Sequence, residues 1–138
     1  MMADGDSKLT YRLLQSEDIG HVPMMCQGDE KAVFTRIADI GSAAVLVFDG
    51  KQHVAQLQFR RYDRELRSPN GLWDLLYWGN FGETAPRLPV NSLAVFCYHV
   101  GQLDDSEERD KRYQGRGIGL DMLDYLIKWA VDLTDSCR

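Results

Sequence analysis

The sequence predicts an α+β domain of three layers, in which a mixed and mostly antiparallel central sheet is flanked by helices. Three observations lead there. Ala43 to Tyr62 reads as strand, tight turn and strand; Ser92 to Val100 is a nearly unbroken apolar strand; and Glu30 to Ile40 and Ile118 to Leu133 carry apolar residues at helical spacing. Residues 1–138 are one domain by size, and the 44% of hydrophobic residues is enough for a core.

In chain order, Leu9 to Leu14 is short and apolar-rich and reads as a first or edge strand. Ser16, with Glu17 and Asp18 after it, marks the start of a brief helix by its cap and acidic first turn. Pro23 either stops that helix or begins a piece running on to Cys26. Asp29 caps a second helix, Glu30 to Ile40, whose stripe is Val33, Phe34, Ile37 and Ile40 and whose end is Gly41.

Ala43 to Phe48 is a continuous apolar strand, and Asp49-Gly50 is a two-residue turn signal. In the partner strand, alternation puts His53, Ala55, Leu57 and Phe59 on one face and Val54, Gln56, Gln58 and Arg60 on the other. Leu66 to Asn91, punctuated by Pro and Gly among Trp73, Trp78 and Phe81, is an aromatic-rich insertion that caps the core or shapes a pocket. The apolar run from Ser92 to Val100 suits a strand buried on both faces in the sheet interior. The last helix aligns Ile118, Met122, Leu126, Trp129 and Leu133, with Leu123, Ile127 and Ala130 widening the face that packs on a sheet.

A net charge of −5 argues against a general nucleic-acid binder, because phosphate backbones are held by clustered Lys and Arg. Three cysteines, Cys26, Cys97 and Cys137, without C-x-x-C spacing suggest neither a disulfide framework nor a zinc site, and no metal is expected. No apolar run approaches the roughly twenty residues of a membrane span, and Met1 to Lys8 is too polar for a signal peptide. The expectation is a cytoplasmic protein with no membrane partner.

Gln114-Gly115-Arg116-Gly117-Ile118-Gly119 places a loop poor in side chains at the first turn of the last helix. Unpaired N–H groups and the positive end of the macrodipole converge there, which makes an anion site. Glycines let the backbone come within hydrogen-bonding reach of a diphosphate, and Arg112 and Arg116 can add guanidinium groups. The dinucleotide fingerprint fails because Leu120 stands where glycine is needed, and the P-loop fails for want of Gly-Lys-Ser/Thr.

What remains resembles the acetyl-CoA loop of the GNAT-superfamily N-acetyltransferases, whose Gln/Arg-x-x-Gly-x-Gly/Ala pattern is met by Gln114, Gly117 and Gly119. The order of strand, loop and long helix matches as well. The resemblance implies a GNAT-like sheet, acetyl-CoA as co-substrate, and transfer of its acetyl group to a primary amine of a small-molecule or peptide acceptor by direct attack in a ternary complex. It places the diphosphate on Gln114, Gly115, Arg116, Gly117, Ile118 and Gly119, and the pantetheine arm beside backbone groups around His99, Val100 and Gly101. His99 is the candidate general base, with the acidic run from Asp104 onward as an alternative. Cys97 shares its face but reads as core.

The segment Asp104 to Arg112 is longer than the family's usual link. The family's further strands and its leaving-group tyrosine would lie beyond Arg138. The expectation is a GNAT-like domain lacking those C-terminal strands, either a piece or one that a second copy completes as a homo-oligomer. The rival expectation is a non-catalytic acyl-CoA-binding or interaction module on the same scaffold.

Overall fold

The computed structural model describes residues 9–24, 27, 29–62, 92–104, 106 and 108–136. Among them β1 (Leu9–Leu13), β2 (Ala44–Asp49), β3 (Gln52–Arg61) and β4 (Leu93–Val100) form one sheet in the order β1-β2-β3-β4. Helix α1 (Glu30–Ile40) lies between β1 and β2 in the chain, and α2 (Ile118–Ser136) follows β4. The fold is α+β. Every described strand pair is antiparallel, so the mixed sheet expected from the sequence is not found among the described residues.

Helix α1 begins and ends where its caps dictate. The Asp29 side chain accepts from Ala32 N at 2.8 Å, and Gly41, at φ 103°, donates its N–H to Ile37 O. The first expected helix is instead a single 3-10 turn, Ser16–Asp18, capped by Gln15 rather than Ser16. Asp18 accepts Gln15 N at 2.7 Å and pairs with both terminal nitrogens of Arg12, which ties the turn to β1 and holds the Asp18 carboxyl below its usual range. No helix follows in residues 22–24, and Cys26 lies outside the described residues, as does the insertion from Leu66 to Asn91.

The hairpin is displaced by one residue from its sequence signal. Asp49 pairs with Gln52, so Gly50 and Lys51 make the turn, with Gly50 at φ 62°. The register then jumps: Val47 faces Ala55 and Phe48 faces His53, leaving Val54 as the extra residue of a β-bulge. The bulge reverses one expectation from simple alternation. Val54 joins Ala55, Leu57 and Phe59 in an apolar cluster with α2, while His53 turns to the face of Gln56.

Two apolar clusters flank the sheet. Val45, Val47, Leu57 and Phe59 meet Ile118, Met122 and Leu126 of α2, with Trp129 against Phe59 at 5.5 Å between ring centroids. Leu14, Ala44 and Leu46 meet Val33 of α1, with Ile37 and Met24 alongside. Phe34, expected in the α1 stripe, is half exposed, and Arg36 is buried. Gln27, just before the helix, explains the exchange, because both its side-chain and backbone oxygens accept from Arg36. Ile127, expected to widen the α2 face, is also half exposed.

Strand β3 is buried on both faces from His53 to Arg60. Its polar side chains are joined in a network. Gln56 Nε2 donates to Pro23 O at 3.0 Å and lies 3.2 Å from His53 Nε2, while Gln56 Oε1 accepts from Gln27 Nε2 at 3.0 Å and Gln58 Nε2 at 2.6 Å. Gln27 in turn accepts from Arg36 at both its side-chain and backbone oxygens. Since the Gln56 amide donates, His53 Nε2 must accept, and the ring proton sits on Nδ1 facing Gln102 O at 3.2 Å.

The expected interior position of the Ser92 to Val100 strand is not found among the described strands. β4 ends the order of described strands, with Val95 and Tyr98 exposed, and it is β2 and β3 that run inside. Gln56→Leu keeps volume but strands the groups that its amide satisfies, each costing about 1–3 kcal/mol. Urea unfolding should show a loss on the order of 3 kcal/mol or more, whereas Gln52→Leu at the exposed turn should change little.

Candidate functional site

The site is built where β4 runs out. Gly101 breaks the strand at φ 87°; its N–H donates to Val54 O at 2.6 Å and its carbonyl accepts from Asp110 N at 2.7 Å. A Cβ there would stand 2.6 Å from Asp110 O, so only glycine lets the chain leave the sheet and return. This corrects the expectation that Gly101 offers free backbone groups. Both of its groups are spent.

The returning chain forms a 3-10 turn, Lys111–Tyr113, in which the Arg112 N–H donates to the Asp110 carboxylate. Tyr113 is buried and its hydroxyl donates to Asp49 at 2.7 Å, pinning the turn to the β2–β3 hairpin. The Gln114 side chain then reaches back to Val100 O at 2.5 Å. Two anchors therefore hold the glycine loop beside the end of β4.

Gly115 and Gly117 adopt φ values of 71° and 77° with open space where a Cβ would be. Asp121 N donates to Gly117 O, so Gly117 sits immediately before the first turn of α2. The N–H groups of Gly115, Gly117, Ile118, Gly119 and Leu120 make no hydrogen bond among the described residues. Ile118 faces inward, as its place in the apolar stripe requires, and contributes to the loop only through its backbone. Gly119 meets β4: a Cβ would lie 2.9 Å from the Tyr98 hydroxyl, which donates to Gly119 O.

The arginines are arranged differently from the expectation. The Arg112 guanidinium is bound to the Asp110 carboxylate at 2.6 Å, and Arg112 and Arg116 each lie 5.6 Å over the Tyr113 ring. Arg116 also lines a cavity of about 370 Å³ with Leu9, Tyr11 and Asp121. There Tyr11 donates to Asp121, and burial, with the Asp121 charge second, pushes the phenol up to about 12. A second cavity of about 450 Å³ adjoins Gly101 and is lined as well by Leu103, Asp104, Ser106, Glu108, Arg109 and Asp110.

On β4, Gly101 and Val54 form a hydrogen-bonded pair, and antiparallel alternation turns the backbone groups of Val100 and Tyr98 to the outer edge. The ladder skips Phe96: Gln58 faces Cys97 but Phe59 faces Val95. Cys97 and His99 share the face of Gln58 and Gln56, as the sequence spacing implies, with Cys97 Sγ 2.7 Å from His99 Nε2. Arg109 approaches His99 Nδ1 at 3.2 Å. Burial, and next the Arg109 charge, hold the His99 pKa below its usual imidazole value.

A guanidinium only donates, so His99 Nδ1 carries the lone pair and Nε2 the proton. As placed, His99 therefore directs an N–H at Cys97, and neither nitrogen presents a lone pair to an acceptor amine. Among the described residues no group of three or more His, Cys, Asp or Glu is placed to hold a metal, and no helix is long and apolar enough to cross a membrane. No protein-family model matches the chain, and no solved structure matches it.

Sequence reasoning located the loop and the strand end but missed Tyr98, Tyr113 and the amide network. A tyrosine two residues before the end of an apolar strand signals nothing by itself. Gln56 and Gln58 were legible only as one polar face.

His99 generates a pH dependence. Its folded pKa lies below its unfolded value of about 6.5, so its neutral form stabilises the fold fully above that value, and this contribution is lost as pH falls through the folded pKa. Urea midpoints between about pH 7.5 and 5 should fall more steeply for the wild type than for His99→Gln.

Proposed function

We propose that the chain is a GNAT-like, three-layer N-acetyltransferase that binds acetyl-CoA and passes its acetyl group to a primary amine of a small-molecule or peptide acceptor by direct attack in a ternary complex. The observation that carries the reading is the set of five N–H groups on Gly115, Gly117, Ile118, Gly119 and Leu120, unpartnered among the described residues, beside the end of β4. A diphosphate needs that density of donors, and side chains at Gly115 and Gly117 would fill the space it requires.

Bound acetyl-CoA supplies an activated thioester. The glycine loop holds the diphosphate at the positive end of α2, and the outward N–H of Val100 and Tyr98 aligns the pantetheine arm and polarises the thioester carbonyl. The attacking amine forms a C–N bond as the C–S bond breaks, and it gives up one proton. His99 serves as its acceptor only if Arg109 withdraws and the ring proton shifts from Nε2.

That commitment of His99 favours a second reading, an acyl-CoA-binding module without turnover. Release of free thiol from acetyl-CoA against a panel of primary amines separates the two: steady release supports the transferase, and tight binding without release supports the module.

Calorimetry with CoA tests the shared premise. Gly117→Glu should weaken binding by about tenfold or more, because a carboxylate enters the mouth of an anion site, while Lys128→Gln, exposed on α2, should leave it unchanged. Binding that is absent in the wild type removes both readings.

The same reading includes a second copy of the chain. Val95 and Tyr98 on β4 and Leu120, Ile127 and Val131 on α2 are exposed apolar or aromatic residues, and β4 is paired on one side only among the described strands. Light scattering on a sizing column should give a dimer that Ile127→Glu disperses; a wild-type monomer at micromolar concentration contradicts this part.

A further inference from the structure

We infer that Cys97 is a reactive thiol that takes up a small disulfide bearing amide N–H groups, forming a mixed disulfide on the face of β4 that carries His99. Three side chains prepare the sulfur. Arg109, with donors only, fixes the lone pair of His99 on Nδ1, and the Nε2–H so defined points at Cys97 Sγ from 2.7 Å. A hydrogen bond donated to sulfur favours the charged thiolate over the thiol.

Three arginines favour the thiolate, and the carboxylates of Asp104, Glu108 and Asp110, which line a cavity with Arg109, oppose it. Arg109 stands one ring away on the following loop, Arg36 of α1 lies 5.4 Å over the neighbouring Phe96 ring, and Arg60 of β3 is opposite Ala94. His53, Gln56 and Gln58 of β3 add no negative charge. Cys97 is a thiol and is partly exposed, so a small molecule can reach it.

The ligand class comes from an independent feature. Gln58 is in register with Cys97, fully buried, and its Nε2 is spent on Met24 O and Gln56 Oε1. Its Oε1 has no hydrogen-bond partner among the described residues. A buried acceptor across the strand pair from a nucleophile selects a molecule with N–H to donate, which a peptide-like disulfide has and a simple alkyl disulfide lacks.

The exchange is balanced without another reactant. The Cys97 thiolate attacks one sulfur of the disulfide, a new S–S bond forms as the old one breaks, and the departing thiolate takes a proton from water. Cys97 is oxidised by the disulfide that it reduces.

The test uses the full chain with Cys26→Ser and Cys137→Ser, glutathione disulfide as the probe, and mass spectrometry to follow adduct formation between about pH 5.5 and 8.5. At about pH 6.5 the adduct should form about tenfold faster than on an unstructured cysteine peptide, and its pH midpoint should lie below the ~8.5 of an ordinary thiol. His99→Phe should remove that advantage. Arg109→Gln, at an exposed position that leaves the fold intact, should reduce it as well. A rate equal to that of the peptide, or one indifferent to both substitutions, overturns the proposal; equal rates with hydroxyethyl disulfide, which has no amide, overturn the choice of ligand class.

Discussion

The amide of Gln56 is the contact on which both sides of the molecule rest. It sits on a strand buried on both faces, and its two donors and one doubly used acceptor are all engaged. Through Pro23 and Gln27 it holds the chain leading to α1. Through His53 it reaches Gln102, just beyond the end of β4. An apolar residue could fill the same space but would leave those partners unsatisfied in a region that water does not enter. A core of this kind trades some cohesive burial for a single allowed register, since a slipped strand would bury amides without partners.

The glycine loop depends on that register at one remove. β4 pairs with β3, Gly101 closes onto Val54 at the bulge, and Gln114 closes onto Val100. The unpaired amides of the helix mouth are thus placed relative to the strand edge by local hydrogen bonds, and not by the length of the connecting segment. The chain returns to the strand end after a long connecting segment because Gly101 and Asp110 pair across it.

Much of this was legible in the sequence wherever one principle decided the outcome. Asp29 and Gly41 bracket α1, and Ile118, Met122 and Leu126 mark the buried side of α2, because capping and periodicity act locally. Reading failed where tertiary pairing intervened. His53 and Val54 exchanged faces because a bulge inserts one residue into a period of two, and no composition marks that position. Phe34 gave way to Arg36 because Gln27, outside the helix, supplies two buried acceptors that periodicity cannot see. The apolar run of β4 pointed to an inner strand, yet hydrophobicity alone does not distinguish burial by a neighbouring strand from a surface that another partner would cover. At the site, spacing placed Cys97 and His99 together, but the proton on Nε2 follows from Arg109, ten residues away.

The phenol of Tyr98 crosses from the strand to the carbonyl of Gly119, in the space that a methyl group would otherwise occupy. The first turn of the long helix and the rim of the sheet are consequently yoked. A displacement of a few tenths of an ångström at one must be absorbed by the other, so filling the helix mouth would stiffen the rim without any hinge between them.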